Sequence, residues 1–229
     1  MNPLLSVRDL VRRRGLLGTA RRAAARLAPG TSWSDEYLWY ALEMRDPNRP
    51  RRALPDELTL RRGSAADIPL LEQLPSDREI TSVSAEMVRR RLAEGATLWL
   101  VVENGRTAFS CWNFVGHAPL SGARGNRMVL PPEVVVLEDS ISSPHYRGRG
   151  VAAAAWSSIA DAQAASGQAT MVTKVHAENA AVRRALGKVG FCEVAQMHRS
   201  GPIWQMRTRV TLTPGRDKHG WLSTLQRRC

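Results

Sequence analysis

From Leu58 onward, apolar and polar positions follow a regular succession of periods. Leu58–Arg62 reads as a short strand. Ala65–Leu74 has helical spacing, with Ser64 as N-cap and Asp67 three residues on in a capping-box arrangement. A second helical stretch runs from Ser84 to Glu94 and stops at Gly95. Thr97–Glu103 and Thr107–Val115 flank Asn104-Gly105, a dipeptide suited to the left-handed positions of a two-residue hairpin turn. Gly116–Leu130 is a Gly-rich, basic loop. The spacing then predicts a strand over Val134–Ser142, a long helix over Val151–Ser166 and a strand over Ala169–Val175. A helix over Asn179–Val189 and a hairpin of Phe191–His198 with Ile203–Val210 complete the series. The order is β-α-α-β-β-β-α-β-α-β-β.

Upstream the pattern is different. Residues 4–28 mix Leu, Val and Ala with Arg at roughly helical spacing, which predicts a basic amphipathic segment. After Ala28-Pro29-Gly30, Ser34 caps an expected helix over Asp35–Met44 that carries Tyr37, Leu38, Trp39, Tyr40 and Leu42. Such a cluster fits core packing or one wall of an acceptor pocket. Asp46–Pro55 reads as a linker. The expected organisation is a helical extension over 1–55, a main domain over 56–212 and a basic tail over 213–229.

Charge adds a partner class. The 229-residue chain carries a formal +12, and residues 1–30 hold seven arginines against Asp9, a net +6. Half of the excess therefore sits in the amphipathic segment, which suits a surface helix folded back on the domain, an anionic membrane or partner contact, or a transit peptide. The rest is only mildly basic, so nucleic acid is not the expected partner. The chain lacks a run of about 18 apolar residues, so a membrane-spanning helix is not expected. Cys111, Cys192 and Cys229 form no metal-ligand spacing, which suits a reducing cytoplasm and no metal. Cys192 is expected to pack in the core.

The candidate chemistry lies in Pro144-His145-Tyr146-Arg147-Gly148-Arg149-Gly150-Val151-Ala152, fed by a strand and left by a long helix. Free amides in the first turn of a helix, together with its dipole, favour an anion. Glycines let backbone approach phosphate oxygens, and Arg147 and Arg149 add guanidinium donors. No Gly-Lys-Ser/Thr follows, which excludes a Walker loop, and two glycines are too few for a dinucleotide fingerprint. A plain tight turn is the alternative.

Two segments resemble motifs of the GNAT acyltransferase superfamily. Arg147-x-x-Gly150-x-Ala152 is similar to its Gln/Arg-x-x-Gly-x-Gly/Ala motif. Asn179, Val182 and Lys188-Val189-Gly190-Phe191 are similar to its N-x-x-A…G-F landmark. The element order from Leu58 to Val210 resembles the same fold. The resemblance implies an α/β (α+β) domain with a mixed central sheet of about six to seven strands flanked by helices, plus the N-terminal helical segment. It also implies acetyl-CoA as cosubstrate. Arg147, Gly148, Arg149, Gly150, Val151 and Ala152 would hold the pyrophosphate. Ser140, Ile141 and Ser142 would splay from the strand at Val172–Val175 and line the pantetheine, with an amide near Ile141 as oxyanion donor. Asn179 would contact the pantetheine arm. Many members place a tyrosine seven residues after that asparagine as general acid. Here the position is Leu186, so the leaving thiolate departs unassisted or another group protonates it.

Direct attack on a thioester needs a neutral amine and hence a proton acceptor. Glu138 and Asp139 are adjacent on the central strand, so regular geometry lets one of them face the cleft. His176, three residues before Asn179, is a further candidate, and His117 could close over an acceptor. The expected activity is N-acetylation of a primary amine of a small molecule in a ternary complex. A nucleotide-linked or phosphorylated amino sugar is one acceptor class. The competing readings are an acyltransferase with a longer acyl pocket lined by the aromatic helix, and a non-catalytic CoA-binding module docked on lipid or nucleic acid by its arginine-rich arm. A homodimer is compatible with either.

Overall fold

The structure, a computed structural model, describes residues 34–74, 84–119, 127–201 and 207–215. The amphipathic segment, residues 120–126 of the Gly-rich loop and most of the tail lie outside those residues. The described strands are β1 (Ser34–Glu43), β2 (Thr59–Arg62), β3 (Thr97–Glu103), β4 (Arg106–Val115), β5 (His117–Pro119), β6 (Arg127–Val129), β7 (Val134–Ser142), β8 (Thr170–His176), β9 (Cys192–Ser200) and β10 (Arg207–Leu212). The helices are α1 (Ile68–Glu72), α2 (Ala85–Ala93), α3 (Val151–Ala165) and α4 (Ala180–Gly187), with 3-10 turns at Ala65–Asp67 and Pro144–Tyr146.

One eight-stranded sheet runs in the order β10-β9-β1-β8-β7-β4-β3-β2. Its neighbours are antiparallel except β7 and β8, which are parallel. A parallel pair needs a crossover, and α3 provides it. Apolar side chains fill both faces. One layer joins Trp39, Trp112, Phe114, Val134, Val136 and Val172 to Ile68, Leu71 and Val88 from the α1–α2 side. The other joins Tyr40, Leu137 and Met171 to Trp156 and Ile159 of α3 and to Leu186 of α4.

Local signals acted as expected. Asn104 (φ 46°) and Gly105 (φ 75°) make the left-handed turn between β3 and β4. Ser64 and Asp67 form the capping box, and Ser84 Oγ accepts the Met87 amide at 3.1 Å. Arg61 pairs with Asp67 at 2.6 Å, which ties β2 to that first turn. Two readings are corrected. Ser34–Glu43 is a strand, and it lies inside the sheet between β8 and β9. Leu38, Trp39, Tyr40 and Leu42 are buried on alternate sides of it. A central strand covered on both faces carries a continuous apolar run, so periodicity alone does not separate it from a buried helix. The sheet therefore has eight strands, more than the six to seven expected. The ends of the Gly-rich loop also pair, as the β5–β6 ribbon.

Candidate active site

The parallel pairing of β7 with β8 is short. It covers Val134–Thr170, Val135–Met171 and Val136–Val172 and then ends, although both strands continue. From Leu137 to Ser142, β7 has β4 as its only strand neighbour among the described residues, while β8 keeps β1. A wedge-shaped opening therefore separates the two strands, with Val136 and Val172 at its apex.

A bulge shapes the β7 side. Trp112 faces Glu138 and Ser110 faces Ile141, so Cys111 stands opposite two residues, Asp139 and Ser140. Asp139 takes φ 51°, in the left-handed region, as the extra residue of such a bulge can. This changes which way the acids point. Strict alternation would send Glu138 and Asp139 to opposite faces. Instead Asp139 reaches Arg91 of α2 at 2.6 Å, and Glu138 lies on that same side, where Lys174 of β8 meets it at 2.6 Å. The Arg91 guanidinium sits over Trp112 and Phe114, 5.2 and 5.5 Å from their ring centroids. Ser140 turns to the opposite face and accepts a hydrogen bond from Trp156 Nε1 of α3 at 3.2 Å. Ile141 returns to the α1–α2 layer. Burial raises the Glu138 carboxyl above its ordinary pKa, and nearby Asp139 adds to this, against the opposing pull of Lys174 and Arg91.

His176 also lies on this side, two residues beyond Lys174. Its ring is edge-on to Tyr37 of β1, with centroids 5.4 Å apart. Nε2 lies 3.6 Å from Asp35 Oδ1, and Nδ1 accepts the Glu178 amide at 3.4 Å. Both ring nitrogens are thus engaged within the chain. His117 instead contacts Arg127 at 2.8 Å, and Arg127 pairs with Glu94 after α2.

At the open end of β7 the chain enters the loop before α3. Gly148 (φ 77°) and Gly150 (φ 80°) are both left-handed, and a Cβ added at either would meet nothing within 4 Å. Gly150 is the N-cap of α3, no side chain caps it, and the first turn holds no acid. The loop is braced from outside. Tyr146 donates its hydroxyl to Glu103 of β3, which raises the phenol above its ordinary pKa. Arg149 lies over the Tyr146 ring at 5.3 Å and 3.5 Å from Glu57 Oε1. Arg147 Nε donates to the Ser142 carbonyl at 3.3 Å. Across the opening, Asn179 Oδ1 accepts the Val182 amide at 3.2 Å and so caps α4.

A sequence profile described as the Acetyltransferase (GNAT) family matches residues 68–191, more than half of the chain and the whole stretch from α1 to α4. The chain belongs to the GNAT acetyltransferase family. No curated protein matches the sequence. Solved structures carry the same fold at low identity. A Drosophila protein aligns at 14% identity and TM-score 0.54 over 87% of this chain and 58% of its own. A GNAT-family acetyltransferase described as putative, from Novosphingobium aromaticivorans, aligns at 19% identity and TM-score 0.51 over 74% of this chain and 66% of its own. A GNAT-family acetyltransferase from Colwellia psychrerythraea aligns at 13% identity and TM-score 0.50 over 81% of this chain and 61% of its own. The chain thus spans less than two thirds of each of these proteins.

GNAT acetyltransferases use acetyl-CoA, and the residues present fit such a group. The glycine loop leaves open space at an uncapped helix N-terminus, and the splayed strands expose backbone beside it. Leu186, at the position where many GNAT members have tyrosine, is fully buried in the layer under α3 and α4. Two cysteines are described. Cys111 is buried opposite the bulge, and burial pushes its thiol far above the ordinary range. Cys192 is exposed at the start of β9, not packed in the core. Sequence reasoning missed Lys174 and Arg91, the partners of the two acids, because nothing local marks either residue. No described helix is long and apolar enough to cross a membrane.

Proposed function

We propose that the chain transfers the acetyl group of acetyl-CoA to a primary amine of a small molecule by direct attack in a ternary complex. The observation that carries this reading is the opening beyond Val136 and Val172, with a largely buried carboxylate, Glu138, beside it and the glycine loop at its outer end. Bound there, acetyl-CoA supplies an activated acyl carbon on a good leaving group. The amides of Arg147–Ala152 would take the pyrophosphate, with Arg147 and Arg149 adding positive charge. The β7 edge at Ser140, Ile141 and Ser142 would orient the pantetheine, and a β7 amide near Ile141 would polarise the thioester carbonyl. Capping of α4 uses Oδ1 of Asn179, so its Nδ2 is the group suited to a pantetheine carbonyl.

Glu138 is the proton acceptor in this reading. Its burial favours the neutral acid, which brings its affinity for a proton closer to that of an amine. Both acids are ion-paired, but Asp139 turns to Arg91 of α2, whereas the partner of Glu138, Lys174, lies across the opening itself; His176 is engaged by Asp35 and the Glu178 amide. The thiolate leaves without a tyrosine at 186, which its ordinary pKa of about 8.5 permits. Arg91 and Lys174 are committed to the two acids, so they give an anionic acceptor no dedicated cation. An uncharged or cationic amine suits this side better. The longer-acyl reading needs an aromatic helix at Tyr37–Leu42, and that segment is a strand with Leu38, Trp39, Tyr40 and Leu42 in the core.

An amine panel followed by CoA release tests the reading, with Glu138→Gln alongside. The expected outcome is turnover with at least one small amine and a loss of about 100-fold or more in kcat for the variant, with CoA affinity kept. The acid limb of the wild-type kcat/KM profile should lie above the usual glutamate range of about 4.3. CoA binding without thiol release from any amine would favour the non-catalytic module instead.

A further inference from the structure

Backbone pairing between β7 and β8 stops at Val136 and Val172. Two residues further along each strand, on the same face, stand Glu138 and Lys174. Their side chains meet across the opening, Nζ to Oε1 at 2.6 Å. A single ion pair thus spans the wedge just above its apex, where main-chain bonds have ended. Both side chains are largely buried, Lys174 at 17% exposure and Glu138 at 12%. Lys174 is also placed from behind. It faces Trp39 across β1 and β8, and Nζ lies 5.9 Å from the centre of that fully buried indole. A lysine among buried strand residues is costly unless its charge is matched, and Glu138 matches it.

We propose that Lys174 is a positioning residue for the transfer, holding the Glu138 carboxylate across the opening so that it faces the incoming amine. This rests on the reading of Glu138 as proton acceptor. The charged groups around Glu138 are Lys174 of β8, Asp139 of β7 and Arg91 of α2. Asp139 and Arg91 pair with each other and act on Glu138 in opposite directions, Asp139 more strongly than Arg91. Burial favours the neutral acid, and Lys174 is the group that opposes it most strongly. Removing the lysine charge should therefore drive Glu138 toward its protonated, inactive form.

The test compares Lys174→Gln and Lys174→Arg with the full-length wild type. Carboxyl carbon NMR of the unliganded protein reads the Glu138 titration directly. The midpoint should rise by about one pH unit or more in Lys174→Gln and stay near wild type in Lys174→Arg. The acid limb of kcat/KM should move up by the same amount, while CoA affinity by calorimetry stays within about twofold. An unchanged Glu138 midpoint in Lys174→Gln overturns the proposal. A midpoint that rises while the acid limb stays fixed overturns the role of Glu138 as proton acceptor and leaves the ion pair as structure alone. If Lys174→Gln does not fold, the wild-type lysine Nζ signals decide. A slowly exchanging Nζ resonance that disappears in Glu138→Gln supports the proposal, and rapid exchange of every lysine overturns it.

Discussion

Asp139 shows how one backbone angle sets the chemistry of the site. Its left-handed φ of 51° turns two adjacent acids to one side of the sheet. For a residue with a Cβ that conformation costs about 1–2 kcal/mol, a cost glycine avoids. Asp139→Gly and Asp139→Ala both lose the Arg91 pair, so their difference isolates the backbone. Urea denaturation should find the alanine variant less stable than the glycine variant by about 1–2 kcal/mol; equal stabilities would mean the bulge is absent. Asp67 offers a second test at this scale. Its hydrogen bond with Arg61, and those with Ser64, hold its carboxyl at about 2, below the ordinary 3.8. A depressed folded pKa contributes stability above the unfolded value, and that stability is lost as pH falls through the folded one. About 2 kcal/mol should disappear between roughly pH 4 and pH 2, and Arg61→Ala should remove most of that pH dependence. Thermal unfolding across this window checks both.

Among the elements, the strand-loop-helix from β7 to α3 is the unit proposed to bind CoA. The left-handed glycines let the chain turn into α3 without a side chain on the open side, and the first helical amides are left for an anion. Arg147→Ala combined with Arg149→Ala should weaken CoA binding by about tenfold or more, read by calorimetry. Melting temperature should change little, because both side chains are exposed. Unchanged affinity would sink the pyrophosphate assignment. Much of this unit is legible in the sequence. Val134–Ser142 reads as a strand, Arg147–Gly150 as a glycine loop and Val151–Ser166 as a helix, because periodicity, glycine and helix-start signals all act within a few residues. The bulge is not legible. Glu138-Asp139-Ser140 carries no glycine, and only the β4 register shows the extra residue.

For the whole molecule, β1 is the decisive insertion. It is hydrogen-bonded on both edges, to β8 and to β9, and so forms part of the wall behind the opening. Trp39 at its centre is fully buried and packs beneath Lys174. Trp39→Ala should destabilise the protein by about 3–5 kcal/mol in chemical denaturation, since a large cavity would open in the middle of the sheet. A loss under about 1 kcal/mol would contradict the placement of β1 between β8 and β9.

Read alone, the residues determine the order of elements from Leu58 to Val210 apart from the β5–β6 ribbon, the hairpin at Asn104-Gly105, the helix caps and the glycine loop. Each depends on interactions between near neighbours, whose outcome is set by backbone preference and spacing. Ser34–Glu43 was ambiguous for the opposite reason, since a run buried on both faces has no periodic signature and becomes a strand only where two edges receive it. The ion pair of Glu138 with Lys174 joins residues 36 positions apart. That of Asp139 with Arg91 joins a strand to a helix across an intervening hairpin. Such pairs depend on which strands become neighbours and on one bulge, so only the tertiary structure decided which acid is held where.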